Sequence, residues 1–288
     1  MTKICDHTSV GILIEDDQKR LLLFQRNTRP WGIAPPAGHA LMEHGSWEDA
    51  ARTEVEEEVG LFVTHLDLLI QGRKPYLCRR EFLGKGGHEW HIYKASVGNF
   101  DLNPSERETK NARWYTRSEI QPLAGRTQRY FDGEISEEEW EAQPGIEPVW
   151  YEWLTELGII RKFQKYRKVA PTCARQLNQS DYAARGGSIL TLHGVATFVP
   201  GDYLGRNSKD QWPISLHKME TCYRYLRPDQ DGWNWYEPID VRYAVQMAEP
   251  FIAQGVNGNV GDYLVMSGQS EWPVDRGIFE TEYELVEE

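Results

Sequence analysis

The residues that most narrowly limit how this chain folds are 46–60, SWEDAARTEVEEEVG. Ser46 is an N-cap residue ahead of an acidic first turn, Trp47, Ala51, Val55 and Val59 recur every fourth position, and Gly60 supplies a stop. This is the pattern of an amphipathic helix. At roughly 100° per residue, Glu54, Glu57 and Glu58 fall within an arc of about 100°, so three carboxylates share one strip. Like charges three and four apart each cost about 0.2–0.5 kcal/mol, and the helix contains no Lys to relieve them. Two readings follow: a solvated acidic face, or a site for a hard divalent cation, which takes carboxylate oxygens and keeps waters for phosphate substrates.

The flanking segments put this helix in a layered α/β domain. Residues 9–15 and 20–26 bracket the polar DDQK and read as a hairpin, the Gly/Pro-rich RPWGIAPPAGH reads as a loop, and LFVTHLDLLI and HEWHIYKASV read as strands. ARWYT followed by RSEIQPLA is a last strand entering a helix, which ends the domain near residue 123. Residues 124–170 form a helical extension: Ser136 and Glu139 make a capping box, and Pro148 opens a helix whose Trp150 and Trp153 are core anchors, with Gly158 as its stop.

Residues 201–223 and 261–283 align without a gap at an offset of 60, with nine of 23 positions identical, GDYL, Trp-Pro, Glu-Thr and Tyr among them. Each copy reads as a strand, tight turn and strand, and such a hairpin needs a neighbour to bury its apolar face. Asp202 and Asp262 are expected to cap turns, and Trp212 and Trp272 to anchor the modules. Residues 171–288 are therefore expected to form a small, mainly β region of two repeats.

Net charge is −12, and neither part of the chain is basic: 23 Lys and Arg against 27 Asp and Glu up to residue 170, and 9 against 17 beyond it. Clustered cations carry affinity for phosphate backbones, so general nucleic-acid binding is disfavoured. The one basic cluster, Arg161 to Lys168, follows a helical pattern and is assigned to a helix end or linker. Mean hydropathy is −0.61 with no membrane-length apolar run, and no secretory signal is visible at the start. The four cysteines lie far apart without paired spacing and read as reduced thiols of a cytoplasmic protein, outside any zinc or disulfide framework. His88 and His91 lack helical zinc spacing and read as ordinary strand residues.

AGHALMEHGSWEDAARTEVEEEVGL resembles the signature of Nudix hydrolases, with Glu54, Val55, Glu57, Glu58, Gly60 and Leu61 matching its helical half and Gly38 its approach. The resemblance spans roughly residues 8–122 and implies a Nudix α/β/α sandwich with a mixed sheet. It also implies metal-dependent cleavage of the diphosphate of a nucleoside diphosphate linked to another group. By the same resemblance, Mg²⁺ or Mn²⁺ sits on Glu54, Glu57, Glu58 and the Gly38 carbonyl. A further carboxylate comes from Glu106 or Glu108, with Glu108 preferred, and Arg26, His39, Glu43 and Arg52 are candidates for substrate contact, as is His44 in the same loop.

Two positions depart from the signature. Thr53 stands where the family has Arg, and Gly45 where it has its first Glu. Arg52 could replace the guanidinium by reaching over, and Glu43 the loop carboxylate. These departures motivate the alternative of a weak or inactive domain that senses a nucleotide beside interaction modules. Pro75 and Tyr76 resemble marks of ADP-ribose and dinucleoside-polyphosphate enzymes respectively, and do not choose between them. PGDYL at 200–204 and VGDYL at 260–264 resemble small PGDYG-type modules of phage and bacterial proteins, for which self-association or a protein partner is the expected role.

Overall fold

Alternation along one strand sets the layers of the N-terminal unit. Residues 5–41, 43–75, 78, 86–191, 194–207, 210–268 and 270–286 are described by the computed structural model, which divides into two units, Met1–Lys162 and Phe163–Glu288. The first contains β1 (Thr8–Ile14), β2 (Leu21–Arg26), β3 (Ile33–Ala34), β4 (Ala37–His39), α1 (Trp47–Val59), β5 (Val63–Lys74), β6 (His88–Val97) and β7 (Thr109–Tyr115). The helices α2 (Arg117–Phe131), α3 (Glu137–Ala142) and α4 (Pro148–Glu156) follow. Val10, Ile12 and Ile14 of β1 pack with Ala51, Val55 and Val59 of α1. Leu13 joins a second cluster with Ile120, Trp150 and Leu154 of the later helices. Both faces of β1 are thus buried, as expected of a strand between two helical layers.

One sheet has the order β4-β1-β6-β5, with β1 and β6 parallel and the outer pairs antiparallel; β3-β2-β7 is a separate antiparallel sheet. The expected hairpin of residues 9–15 and 20–26 is accordingly corrected: β1 and β2 belong to different sheets and meet at the bridge Glu15↔Leu21. Buried Asp16 accepts from the backbone N–H groups of Gln18 and Arg20 and from Arg20 Nε at 2.7 Å, which folds the connection into a side-chain-closed turn from which the strands diverge.

Helix ends follow the sequence closely. Ser46 accepts from the Asp49 N–H and Gly60 takes the left-handed conformation at φ 71°; Ser136 and Glu139 form the expected capping box; Trp150 and Trp153 are almost fully buried. Helix α2 runs beyond the expected end at 123, straight through Pro122. The bond that Pro122 cannot donate costs less than the core contacts retained by Ile120 and Ala124.

The second unit opens with β8 (Gln164–Lys168), which corrects both the helical reading of the basic cluster and the extension of the helical segment to residue 170. It continues with β9 (Thr172–Gln176), α5 (Gln179–Arg185), β10 (Ser188–Thr191), β11 (Gly194–Thr197), β12 (Tyr203–Arg206), β13 (Gln211–Ile214), α6 (Leu216–Cys222), β14 (Tyr223–Pro228) and β15 (Asn234–Pro238). Then come β16 (Val241–Gln246), β17 (Phe251–Ala253), β18 (Val256–Gly258), β19 (Tyr263–Ser267), β20 (Ser270–Val274), α7 (Arg276–Glu282) and β21 (Tyr283–Leu285).

Two five-stranded sheets, β13-β12-β9-β15-β14 and β20-β19-β16-β8-β21, have the same plan, with β8 standing where β15 stands in the first. Each aligned segment forms strand, strand, helix, one helix more than the expected hairpin. Asp202 accepts from the N–H groups of Val199 and Leu216, and Asp262 from those of Asn259 and Arg276, the turn-capping role expected for both. Trp212 and Trp272 are half-buried, with Lys218 lying over Trp272, whereas Met219 and Phe279, at equivalent positions of the repeat, are buried. The latter pair, and not the tryptophans, therefore fills the centre of each module. Ser208, Lys209 and Gln269 of the repeat turns lie outside the described residues, as does Tyr76.

Candidate active site

The carboxylates of α1 are brought to the end of β4 by sheet pairing. Antiparallel registration of Val10 with Gly38 holds β4 against β1 while α1 packs over the same sheet. The approach is so close that a Cβ on Gly38 would lie 1.7 Å from Glu54 Oε1. Glycine is needed there for space and not for its backbone angles, which leaves the Gly38 peptide beside the carboxylate. Buried Glu58 accepts the Ala37 N–H at 2.9 Å, and Glu57 is exposed at the mouth of the cavity.

That cavity, about 660 Å³, is lined by Glu54, Glu57 and Glu58, by Glu43 and Glu108, and by the cations Arg26, Arg29 and Arg107. Burial, then the charges of Glu57, Glu108 and Glu43, push Glu54 up to about 7. Glu58 is raised well above the usual carboxylate range, chiefly by burial and then by Glu54, while the Ala37 N–H and Arg26 oppose the shift. Several carboxyls are thus held in enforced proximity, an arrangement that a divalent cation relieves. Arg26 is fixed by donating its Nε proton to the Pro30 carbonyl at 2.9 Å.

Of the residues singled out in the sequence, Glu54, Glu57, Glu58, Gly38, Glu43, Glu108, Arg26 and His39 line this one cavity. Arg52 does not: it is exposed and donates to the Val63 carbonyl at 2.6 Å, tying α1 to β5. It therefore does not reach over to stand in for the Arg missing at Thr53. Exposed Glu106 presents its backbone carbonyl to Asn27 and is absent from the lining, as is His44. His91 stacks on Trp47 with ring centroids 3.8 Å apart, an ordinary strand contact.

His39 faces something that the sequence did not suggest. Its Nε2, beside the cavity it lines, lies 3.4 Å from the Sγ atoms of both Cys5 and Cys78. The reading of far-apart thiols is corrected for these two cysteines, whose Sγ atoms lie 3.5 Å from each other beside His39 and His88, a convergence that no local spacing records; His88 lies in β6, the strand expected for it. Arg29 and Arg107 were likewise missed, since each lies in a loop with no motif around it.

The NUDIX domain model matches residues 6–132. Among solved structures, the chain is similar to the MutT protein of Methanosarcina mazei Go1 at 15% identity and a TM-score of 0.38, over 55% of this chain and 96% of that one. It is also similar to a Caenorhabditis elegans Ap4A hydrolase at 20% and 0.32, over 44% and 96%. A third is the NUDIX domain of Shewanella oneidensis NrtR, crystallised with ADP ribose, at 17% and 0.31, over 40% and 74%. No curated protein matches the chain. With the matched span covering the mixed sheet, the Gly38 approach and the acidic helix, residues 6–132 are a NUDIX domain.

Proposed function

We propose that this domain is a hydrolase that cleaves the diphosphate of a nucleoside diphosphate linked to another group, using Mg²⁺ or Mn²⁺ held by Glu54, Glu57, Glu58 and the Gly38 carbonyl. The observation that carries the reading is the convergence of those donors on a single cavity that also holds Arg26, Arg29 and Arg107. The donors are all hard oxygens, and Glu54 and Glu58 are raised by burial first and by neighbouring carboxylates after it, so the set fits such an ion. When bound, the ion offsets charge on phosphate oxygens and lowers the pKa of a bound water. In this reading the arginines orient and neutralise the diphosphate, and Glu108, which lines the same cavity and is ion-paired with Arg107, takes a proton from the attacking water.

Thr53 and Gly45 leave two signature groups missing, and the cavity contains candidates for both. Arg26 supplies a guanidinium whose charge acts on Glu54 and Glu58, and Glu43 supplies a loop carboxylate. The test is phosphate release from ADP-ribose, NADH, dinucleoside polyphosphates and (d)NTPs with Mg²⁺ or Mn²⁺, against a Glu57→Gln, Glu58→Gln control. Turnover of at least one substrate well above the control supports the hydrolase. Thermal stabilisation by a nucleotide that chromatography recovers unchanged would instead establish the sensing alternative.

A further inference from the structure

We infer that Cys5, His39, Cys78 and His88 bind one Zn²⁺ ion in a closed tetrahedral site, distinct in its chemistry from the carboxylate cavity, whose wall it shares at His39. The four ligand atoms all lie within 4.8 Å of one another. Cys5 Sγ is 3.1 Å from His88 Nε2 and 3.4 Å from His39 Nε2, and Cys78 Sγ is 3.4 Å from His39 Nε2 and 3.5 Å from Cys5 Sγ. With Zn–S near 2.3 Å and Zn–N near 2.0–2.1 Å, the edges of a tetrahedron of two sulfurs and two nitrogens are about 3.3 to 3.8 Å. The group is therefore already close to the size of its coordination shell.

Its chemistry agrees with its size. Cys5, Cys78 and His88 are buried and His39 half-buried, and two thiolates neutralise the dication, so the loaded site adds no net charge to the interior. Binding releases the two thiol protons to solvent. His88 Nδ1 is hydrogen-bonded to Ser9 Oγ at 2.7 Å, which turns its Nε2 lone pair toward the sulfurs, the outer contact typical of a ligating histidine. Four protein ligands leave no open position, so the ion is structural. It ties Cys5, ahead of β1, and Cys78 to His39 at the end of β4, one residue from Gly38.

The full-length protein, expressed with zinc and purified with a reductant, is expected to contain one zinc per chain by elemental analysis. The content should fall below about a tenth in Cys5→Ser, Cys78→Ser and stay unchanged in Glu57→Gln, Glu58→Gln, which separates this site from the carboxylates. Exchange into Co²⁺ should give the intense visible bands of a tetrahedral thiolate site, and His88→Cys should shift them while keeping the metal, so the test survives if the double serine variant does not fold. Chelation should lower the melting temperature by several degrees. Protein that binds neither zinc nor tetrahedral cobalt, or that carries a Cys5–Cys78 disulfide under the same conditions, overturns the proposal.

Discussion

At Gly38 a methyl group has no room beside the Glu54 carboxylate unless that side chain moves. Gly38→Ala should displace Glu54 and weaken metal affinity by about 10–100-fold in a Mn²⁺ titration, with little change in helix content by circular dichroism. Glu147 caps α4 from a buried position, accepting from the N–H groups of Val149 and Trp150, and burial pushes it up to about 7 against the opposing charge of Arg26. Its folded pKa exceeds the unfolded value of 4.5, so the stability it confers is complete below 4.5 and is lost as pH rises through about 7. The urea midpoint should therefore drop between pH 5 and 7.5 more in the wild type than in Glu147→Gln, which keeps an acceptor for both N–H groups. Equal slopes would show that Glu147 is not protonated in the native state. The helical carboxylates were legible in the sequence because helical periodicity is local. The placement of Arg29 and Arg107 was not legible, since each lies in a loop brought to the helix from a distance in sequence.

The repeats show the same division between local and distant information. Nine identities at an offset of 60 revealed two copies, yet the strand that completes the second sheet, β8, lies before the first copy and pairs with β16 and β21. Its sequence, QKYRK, has no strand pattern on the apolar side, and its partners fix it. A fragment of residues 163–288 should accordingly be soluble and melt cooperatively. One starting at 171 should expose the facing edges of β16 and β21 and aggregate, as light scattering would register. Phe279→Ala should destabilise that fragment by about 3–5 kcal/mol in urea, whereas Trp272→Ala, half-buried under Lys218, should cost distinctly less. Equal losses would return the tryptophan to the centre of the module.

Across the chain, the proposed donors and the three arginines gather in the charged cavity of the first unit. All of its proposed donors lie within residues 1–162, so that fragment should turn over the same small substrate as the full chain, to within a few-fold. Loss of turnover with metal affinity intact would place part of the substrate site in residues 163–288. The claim on which the functional reading stands is that the carboxylates of α1 hold a divalent cation. Free Mn²⁺ measured by electron paramagnetic resonance during titration of the full-length protein at pH 7.5 tests it directly. The wild type should bind at least about tenfold more tightly than Glu57→Gln, Glu58→Gln, and indistinguishable isotherms for the two proteins would contradict it.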